Sequence, residues 1–332
     1  MSLAAPAVPL LRRTAAVTAA AALTLFAAAC GSSDGGAENA TDITVGSSPG
    51  LSGVGLRVAI SEGDFTERGL NVTPSANKSA NDTVPQLLSG GLQVAQMDVV
   101  TFMQARAQGL PIKIVAGAGE QSTNGQPGQI SAASVVTANN GINGPVDLVG
   151  KKVGVPAIKT QTWMNIRAIV DGAGGDSTKI EFVEVPPAQS IDLVQQGFVD
   201  ASTPNEPLAT SAISSGKVRL VTNTDAPGNQ GVPSSVFVAT EEFIARNPET
   251  VRKFAEGIQE GAASVNADPA LGKKVAGEQL GFTPEQLANA FIQPFSATPV
   301  TTDKIDKVAD LAVKYEILSE KPDSSTFLAE IG

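Results

Sequence analysis

KKVGVPAIKTQTW, residues Lys151 to Trp163, packs a strand, a break, a polar turn and a helix start into one short run. Val153 and Val155 read as a buried strand, and Pro156-Ala157 interrupts it. Lys159-Thr160-Gln161-Thr162 forms a polar turn, after which Trp163, Ile166, Ile169 and Val170 follow at the spacing of an amphipathic helix. Thr160 or Thr162 is placed to act as N-cap. A helix start carries backbone N–H groups without intrahelical acceptors and the positive end of the dipole, so it suits an anion, and Lys159 adds a formal charge beside it. The bland alternative is a capped βα turn with Lys159 in solvent. Ile43 to Ser48 repeats the strand and polar exit of Val153 to Lys159. Leu87 to Ala95 (LLSGGLQVA) likewise parallels Leu193 to Ala201 (LVQQGFVDA): a helix end, a glycine and a small buried strand. Polar exits follow, at Asp98 and at Asn205-Glu206. Each half thus supplies the same two loops at the carboxyl ends of strands, the edge where open α/β sheets bind ligands. Two such halves facing each other make a cleft.

The rest of the chain fits between these landmarks. Strands are expected at Ile43–Gly46, Asn71–Pro74, Val94–Met97 and Ile112–Gly117, alternating with helices at Val54–Ser61, Thr83–Ser89 and Thr101–Gln108. The second half continues in the same way, with strands at Ser131–Thr137, Ile180–Val185, Val199–Ser202 and Val218–Val221. Helices Ile191–Gln196 and Leu208–Ser215 lie between them. Ser235–Ala239 reads as a strand leading back, followed by helices over Glu241–Arg246, Pro248–Asn266, Pro269–Leu280, Pro284–Phe291 and Thr302–Leu318. Repeated β-α alternation predicts open, mostly parallel sheets with helices on both faces.

Composition narrows the chemistry. The 332 residues are 42% hydrophobic and 17% charged, enough apolar content for two ordinary domains. Lys plus Arg is 23 against 33 Asp plus Glu, a net of −10, which argues against nucleic acid or a polybasic membrane face as partner. There is no histidine, which removes His-based triads, His general bases and most zinc sites. The single cysteine excludes an intramolecular disulfide. No paired-carboxylate motif stands out, and neither a cofactor nor a metal is expected. Aromatics are few, with one Trp, one Tyr and twelve Phe.

The N-terminus reads as an export signal. Arg12-Arg13 is a charged n-region, and Thr14 to Phe26 is an apolar run too short to span a bilayer. Ala27-Ala28-Ala29-Cys30-Gly31 resembles a bacterial lipobox, which implies that Cys30 is lipidated and becomes the new N-terminus. Ala27 stands where the pattern usually has leucine. The simpler alternative is a cleaved signal with an incidental cysteine. Residues 31–42 then read as a flexible tether, Gly/Ser/Asp-rich.

With these features in place, the chain resembles the solute-binding proteins of ABC importers, in particular the group that takes nitrate, sulfonates, taurine and thiamine-precursor pyrimidines. The likeness runs from Ile43 to about Ala267. It rests on Ile43–Ser52, Ala59–Val72, Leu87–Asp98 with its Leu-x-x-Gly pattern, Asp147–Pro156 as the most specific match, and Ala188–Pro207 ending in Asn205-Glu206-Pro207. The resemblance implies an α/β, two-lobe, periplasmic-binding-protein-like (type II) fold, each lobe an open mostly parallel sheet flanked by helices. Residues 43–136 and 235–332 would form lobe 1, and 137–234 lobe 2.

It also implies a lipid-anchored, monomeric, non-catalytic protein that hands a small molecule to a membrane permease with its ATPase. Ser48, Leu51 and Ser52 would form one wall of the cleft, with Asp98 and Val99 on the same lobe. Lys159, Thr160, Gln161, Asn205 and Glu206 would face them, with Ser235 and Gln121 near the crossings. Two carboxylates beside one lysine suit a zwitterion or an amine-bearing ring better than a bare anion; with few aromatics for a ring to stack on, a sulfonate or other small organic solute with polar and apolar parts is expected first. A thiamine-precursor pyrimidine is the alternative, as is a sensing lipoprotein without its own permease. An exported enzyme is a further class: a eukaryotic pyrimidine-forming relative of this group depends on histidine, which this chain lacks.

Overall fold

The computed structural model describes residues 41–77, 80–126 and 128–330; Cys30 and the expected signal segment lie outside them. In chain order the elements are β1 (Asp42–Ser47), α1 (Val54–Glu62), β2 (Asn71–Ala76), α2 (Ala80–Leu88), β3 (Val94–Asp98), α3 (Val99–Ala107) and β4 (Ile112–Gly117). The chain then crosses to β5 (Ser134–Thr137), β6 (Lys152–Val155), α4 (Gln161–Gly172), β7 (Glu181–Glu184), α5 (Ser190–Gln195), β8 (Ala201–Ser202), α6 (Leu208–Ser214) and β9 (Arg219–Asn223). It crosses back to β10 (Ser235–Thr240), followed by α7 (Glu241–Arg246), α8 (Pro248–Ala267), α9 (Pro269–Leu280), α10 (Pro284–Ala288) and α11 (Thr302–Lys314).

Two five-stranded sheets result, ordered β2-β1-β3-β10-β4 and β7-β6-β8-β5-β9. The orders are the same once β6, β7, β8 and β9 are matched to β1, β2, β3 and β4, and β5 to β10. In both, the strand arriving from the other sheet (β10 or β5) inserts antiparallel beside β3 or β8, and β1 or β6 pairs parallel with its neighbours on both sides. The two-lobe α/β architecture expected from the sequence is therefore the observed one. The chain joins the second sheet at Ser134, so a lobe boundary at Val136 falls inside β5.

Burial explains the layering. Ile43 and Val45 of β1 are buried, as are Val153 and Val155 of β6, as fits central strands covered on both faces. In the first lobe, Phe65 stacks on Phe254 at 5.6 Å between ring centroids, and Phe237 meets Phe254 edge-on at 5.4 Å, which seats α8 on the sheet. On the opposite face, the buried cluster of α3 and α11 (Phe102, Met103, Ile305, Val308) runs on into α4 (Trp163, Met164, Ile166) of the second lobe. Trp163 is core, packed on Phe182 with the Arg167 guanidinium 4.7 Å from its ring centroid.

Two expected helices stop early. α10 ends at Ala288 rather than Phe291, and α11 at Lys314 rather than Leu318. From Ala290 to Ser296 the chain is instead an extended strap, because long-range partners take its backbone groups. The Phe295 N–H donates to Asn266 Oδ1 at 2.9 Å, Asn266 Nδ2 returns a bond to the Phe295 carbonyl at 2.8 Å, and the Ser296 N–H donates to the Ala118 carbonyl at 2.8 Å.

Candidate ligand cleft

Two crossing segments, running from Ala118 to Ala133 and from Thr224 to Ser234, join the lobes and pair with each other. The Gln121 N–H donates to the Val232 carbonyl at 2.9 Å and the Ser234 N–H to the Gly119 carbonyl at 2.8 Å. Above this floor stand the carboxyl-end loops of β1, β3, β6 and β8.

The loop after β1 is organised by its own hydroxyls and by Gln96, a buried residue of β3. Gln96 Oε1 accepts the Ser48 N–H at 3.0 Å. Its Nε2 donates to the Ser52 carbonyl at 2.9 Å and to Ser235 Oγ at 3.3 Å. Ser48 Oγ accepts the Gly50 N–H at 3.1 Å and the Ser52 hydroxyl at 2.8 Å. Ser235 Oγ accepts the Gly119 N–H at 3.0 Å. Ser48, Ser52 and Ser235 are thus brought together through Gln96, which sequence reasoning missed. Its signal was a polar residue in an otherwise apolar strand, Val94-Ala95-Gln96-Met97. Leu51 is buried in the core beneath this loop. Neither the short helical turn Leu51–Gly53 nor α1 behind it has a side-chain cap.

The loop after β6 is built differently. Lys159 is exposed and sits in left-handed backbone at φ 61°. Thr160 occupies the N-cap position of α4, but its hydroxyl donates to the Ala157 carbonyl at 2.9 Å and caps nothing. Gln161, the first residue of α4, reaches across to the other lobe. Its Oε1 accepts the Val99 N–H at 3.2 Å and its N–H donates to Asp98 Oδ1 at 3.3 Å. Its Nε2 donates to the Pro233 carbonyl at 3.2 Å.

Asp98 is the N-cap of α3, accepting the Thr101 N–H at 3.0 Å and the Thr101 hydroxyl. Burial pushes its carboxyl above the usual range, against the lowering effect of those Thr101 bonds and the Gln161 amide. Glu206, after β8, is almost completely buried. Its Oε1 accepts from the Thr210 hydroxyl at 2.7 Å and the Thr210 N–H at 3.2 Å, and its Oε2 accepts the Phe291 N–H of the strap at 3.2 Å. Burial raises its carboxyl also, opposed first by the Thr210 hydroxyl bond. Asn205 is exposed beside it, with its carbonyl taken by the Ala209 N–H at 3.1 Å. The β1 and β8 loops do face each other: a Cβ placed on Gly50 would lie 3.5 Å from the Glu206 carbonyl oxygen. Beneath Ser52 lies a small apolar recess lined mainly by Leu56, Phe237, Ile258 and Phe295.

Hydroxyls and helix starts whose N-cap residues make no side-chain cap thus stand on opposing walls of one cleft. Among the described residues no cluster of three or more metal-ligating side chains occurs. The family model described as "NMT1/THI5 like" matches residues 53–271, most of the chain. The chain belongs to the NMT1/THI5-like family. It is 26% identical over 215 residues to the taurine-binding periplasmic protein of Escherichia coli strain K12, across 64% of this chain and 63% of that relative's length. It is 29% identical over 130 residues to the formylaminopyrimidine-binding protein of Halalkalibacterium halodurans, covering 39% and 37% of the two chains. In fold it is similar to the periplasmic aliphatic sulphonate binding protein SsuA of Escherichia coli: TM-score 0.69, 18% identity, 88% of this chain and 98% of that one.

Proposed function

We propose that this chain is the extracytoplasmic substrate-binding component of an ABC importer. It captures a small organic solute, sulfonate-like or zwitterionic, between its lobes and delivers it to a permease and its ATPase. Residues 43–133 with 235–332 act as one closing body and 134–234 as the other, tethered at a membrane surface through Cys30. It performs no catalysis.

The observation carrying this reading is that two helix starts whose own N-cap residues make no side-chain cap, Leu51–Gly53 leading into α1 and α4, stand on opposite walls of one cleft. At α4 the Asp98 carboxylate takes the Gln161 N–H, so an oxyanion there would meet the N–H groups that follow it, with Lys159 as a cation nearby. The taurine-binding relative points to the same chemistry. The pyrimidine-binding relative supports a flat ring as runner-up, but Trp163, the residue best suited to stack on one, is committed to the core against Phe182.

The test is thermal unfolding of the full chain with taurine, alkanesulfonates, nitrate, carboxylates and aminopyrimidines. A true ligand near 100 times its Kd adds about 2.7 kcal/mol, a shift of several degrees. A shift with sulfonates is expected; a shift with aminopyrimidines alone would replace the substrate assignment, and no shift with any of them would remove the importer reading.

A further inference from the structure

The strap Ala290–Ser296 is tied down at both ends by long-range bonds. The Phe291 N–H is held by Glu206, and the Pro294 carbonyl accepts the Glu120 N–H at 2.8 Å. Phe295 exchanges two bonds with Asn266. The Ser296 hydroxyl donates to Glu120 Oε1 at 3.0 Å, and Lys304 Nζ lies 3.4 Å from that same oxygen. One side chain in this run is left over. Gln293 is 4% exposed, and neither its Oε1 nor its Nε2 has a hydrogen-bond partner. Leaving a buried amide with neither donor nor acceptor matched is costly, so such a group calls for a partner.

Its position says where the partner would sit. A Cβ on Gly119 would fall 2.0 Å from Gln293 Nε2 and 3.0 Å from Ser234 Oγ, so the amide lies over the start of one crossing segment and beside the end of the other. Gly119 is also the end of the row Ser48, Gln96, Ser235, Gly119, whose members are joined by hydrogen bonds. The amide therefore extends, on the cleft floor, the polar row that begins in the β1 loop.

We infer that the strap is a third wall of the cleft and that Gln293 is its specificity-determining residue, contacting a solute group that donates a hydrogen bond to its Oε1. This rests on the binding-protein reading above and sharpens it. A bare oxyanion offers acceptors only and would leave Gln293 Oε1 unmatched. A hydroxyl-bearing sulfonate matches both atoms, and an ammonium-bearing one supplies the donor that Oε1 lacks. The strap also couples this contact to closure, since Phe291, two residues away, bonds Glu206 of the opposite lobe.

The test compares taurine, 2-hydroxyethanesulfonate, ethanesulfonate and nitrate by titration calorimetry on the full chain and on Gln293→Met, alongside melting of both proteins without ligand. Wild type is expected to bind the amino and hydroxyl sulfonates about tenfold more tightly than ethanesulfonate. Gln293→Met is expected to melt at or above the wild type without ligand and to lose that preference. A variant that melts well below wild type marks Gln293 as a structural residue and overturns the proposal. So does an unchanged preference in a variant of normal stability. In either case binding by wild type leaves the importer reading standing. Wild type binding none of the four removes the sulfonate reading and this proposal together.

Discussion

Asp98 and Glu206 stand at equivalent places in the two lobes, in the exits from the matched strands β3 and β8, and they make the same set of bonds. Each accepts a threonine hydroxyl and that threonine's own N–H, three residues on for Asp98 and four for Glu206. Each then accepts one backbone N–H from the opposite lobe, Gln161 for Asp98 and Phe291 for Glu206. Both carboxylates thus organise their own loop and clasp the other lobe. They differ in their surroundings: Asp98 is half-buried and has a companion bond beside it, donated by the Val99 N–H to Gln161 Oε1, whereas Glu206 is 4% exposed and stands alone. Glu206 carries its clasp by itself, and water cannot replace it.

That contrast predicts unequal losses. Glu206→Ala leaves the Thr210 hydroxyl, the Thr210 amide and the Phe291 amide without acceptors in a dry site, and is expected to cost about 3 kcal/mol. Asp98→Ala removes a cap and one cross-lobe bond where water can enter, and is expected to cost about 2 kcal/mol. Urea unfolding of both variants checks the order; equal losses would break the comparison. Next in size is Gln161→Ala, which removes the companion bonds to Val99 and Pro233 but leaves the Gln161 N–H on Asp98, and is expected to cost about 1.5 kcal/mol. In a double-mutant cycle Gln161 should couple to Asp98 and not to Glu206.

The pH response is smaller and has a definite sign. Burial raises both carboxyls, so the folded chain holds these protons more tightly than the unfolded chain does. The stability they contribute is therefore fully present below the ordinary carboxylate range and is lost as pH rises through the folded values. Acidification should strengthen the clasped form. Asp64 acts in the same direction: burial, then Glu260, raises it to about 6. The increase in Tm on going from pH 7.5 to pH 5.5 is expected to shrink, without vanishing, in the Asp98→Asn, Glu206→Gln double variant.

Local pattern made the lobes legible and left the clasps hidden. The alternation of Ile43 and Val45, or of Val153 and Val155, is set by near neighbours, so the strands and the repeat of loops could be read directly. The observed bounds of α7 and α9 are the expected ones. Asp98 and Glu206 were visible as polar exits, but their partners were not, because Gln161 lies 63 residues from Asp98 and Phe291 lies 85 from Glu206. Gln293 had the weakest signal of all. Apolar spacing carries a helix through Phe291, and only Pro294 hints at a break; the strap exists because Glu206, Asn266 and Ala118, all distant in sequence, claim its backbone.

The smallest effect separates the two loops that begin each lobe's wall. The Ser48–Ser52 loop is held by hydroxyls and Gln96 and carries no charge, whereas the β6 loop places Lys159 in left-handed backbone before a helix that its own Thr160 side chain does not cap. Left-handed backbone is unfavourable for lysine and better tolerated by asparagine. Lys159→Asn should therefore stabilise the ligand-free chain by about 0.5 kcal/mol. The same change removes the one cation at this wall, so the association rate of an anionic solute should fall, and its dependence on salt should flatten. Gain of stability with loss of salt-dependent capture would show that the second wall keeps a strained residue for its charge. Gain of stability with an unchanged rate would make the two walls electrostatically alike, and capture would then rest on backbone N–H groups in both.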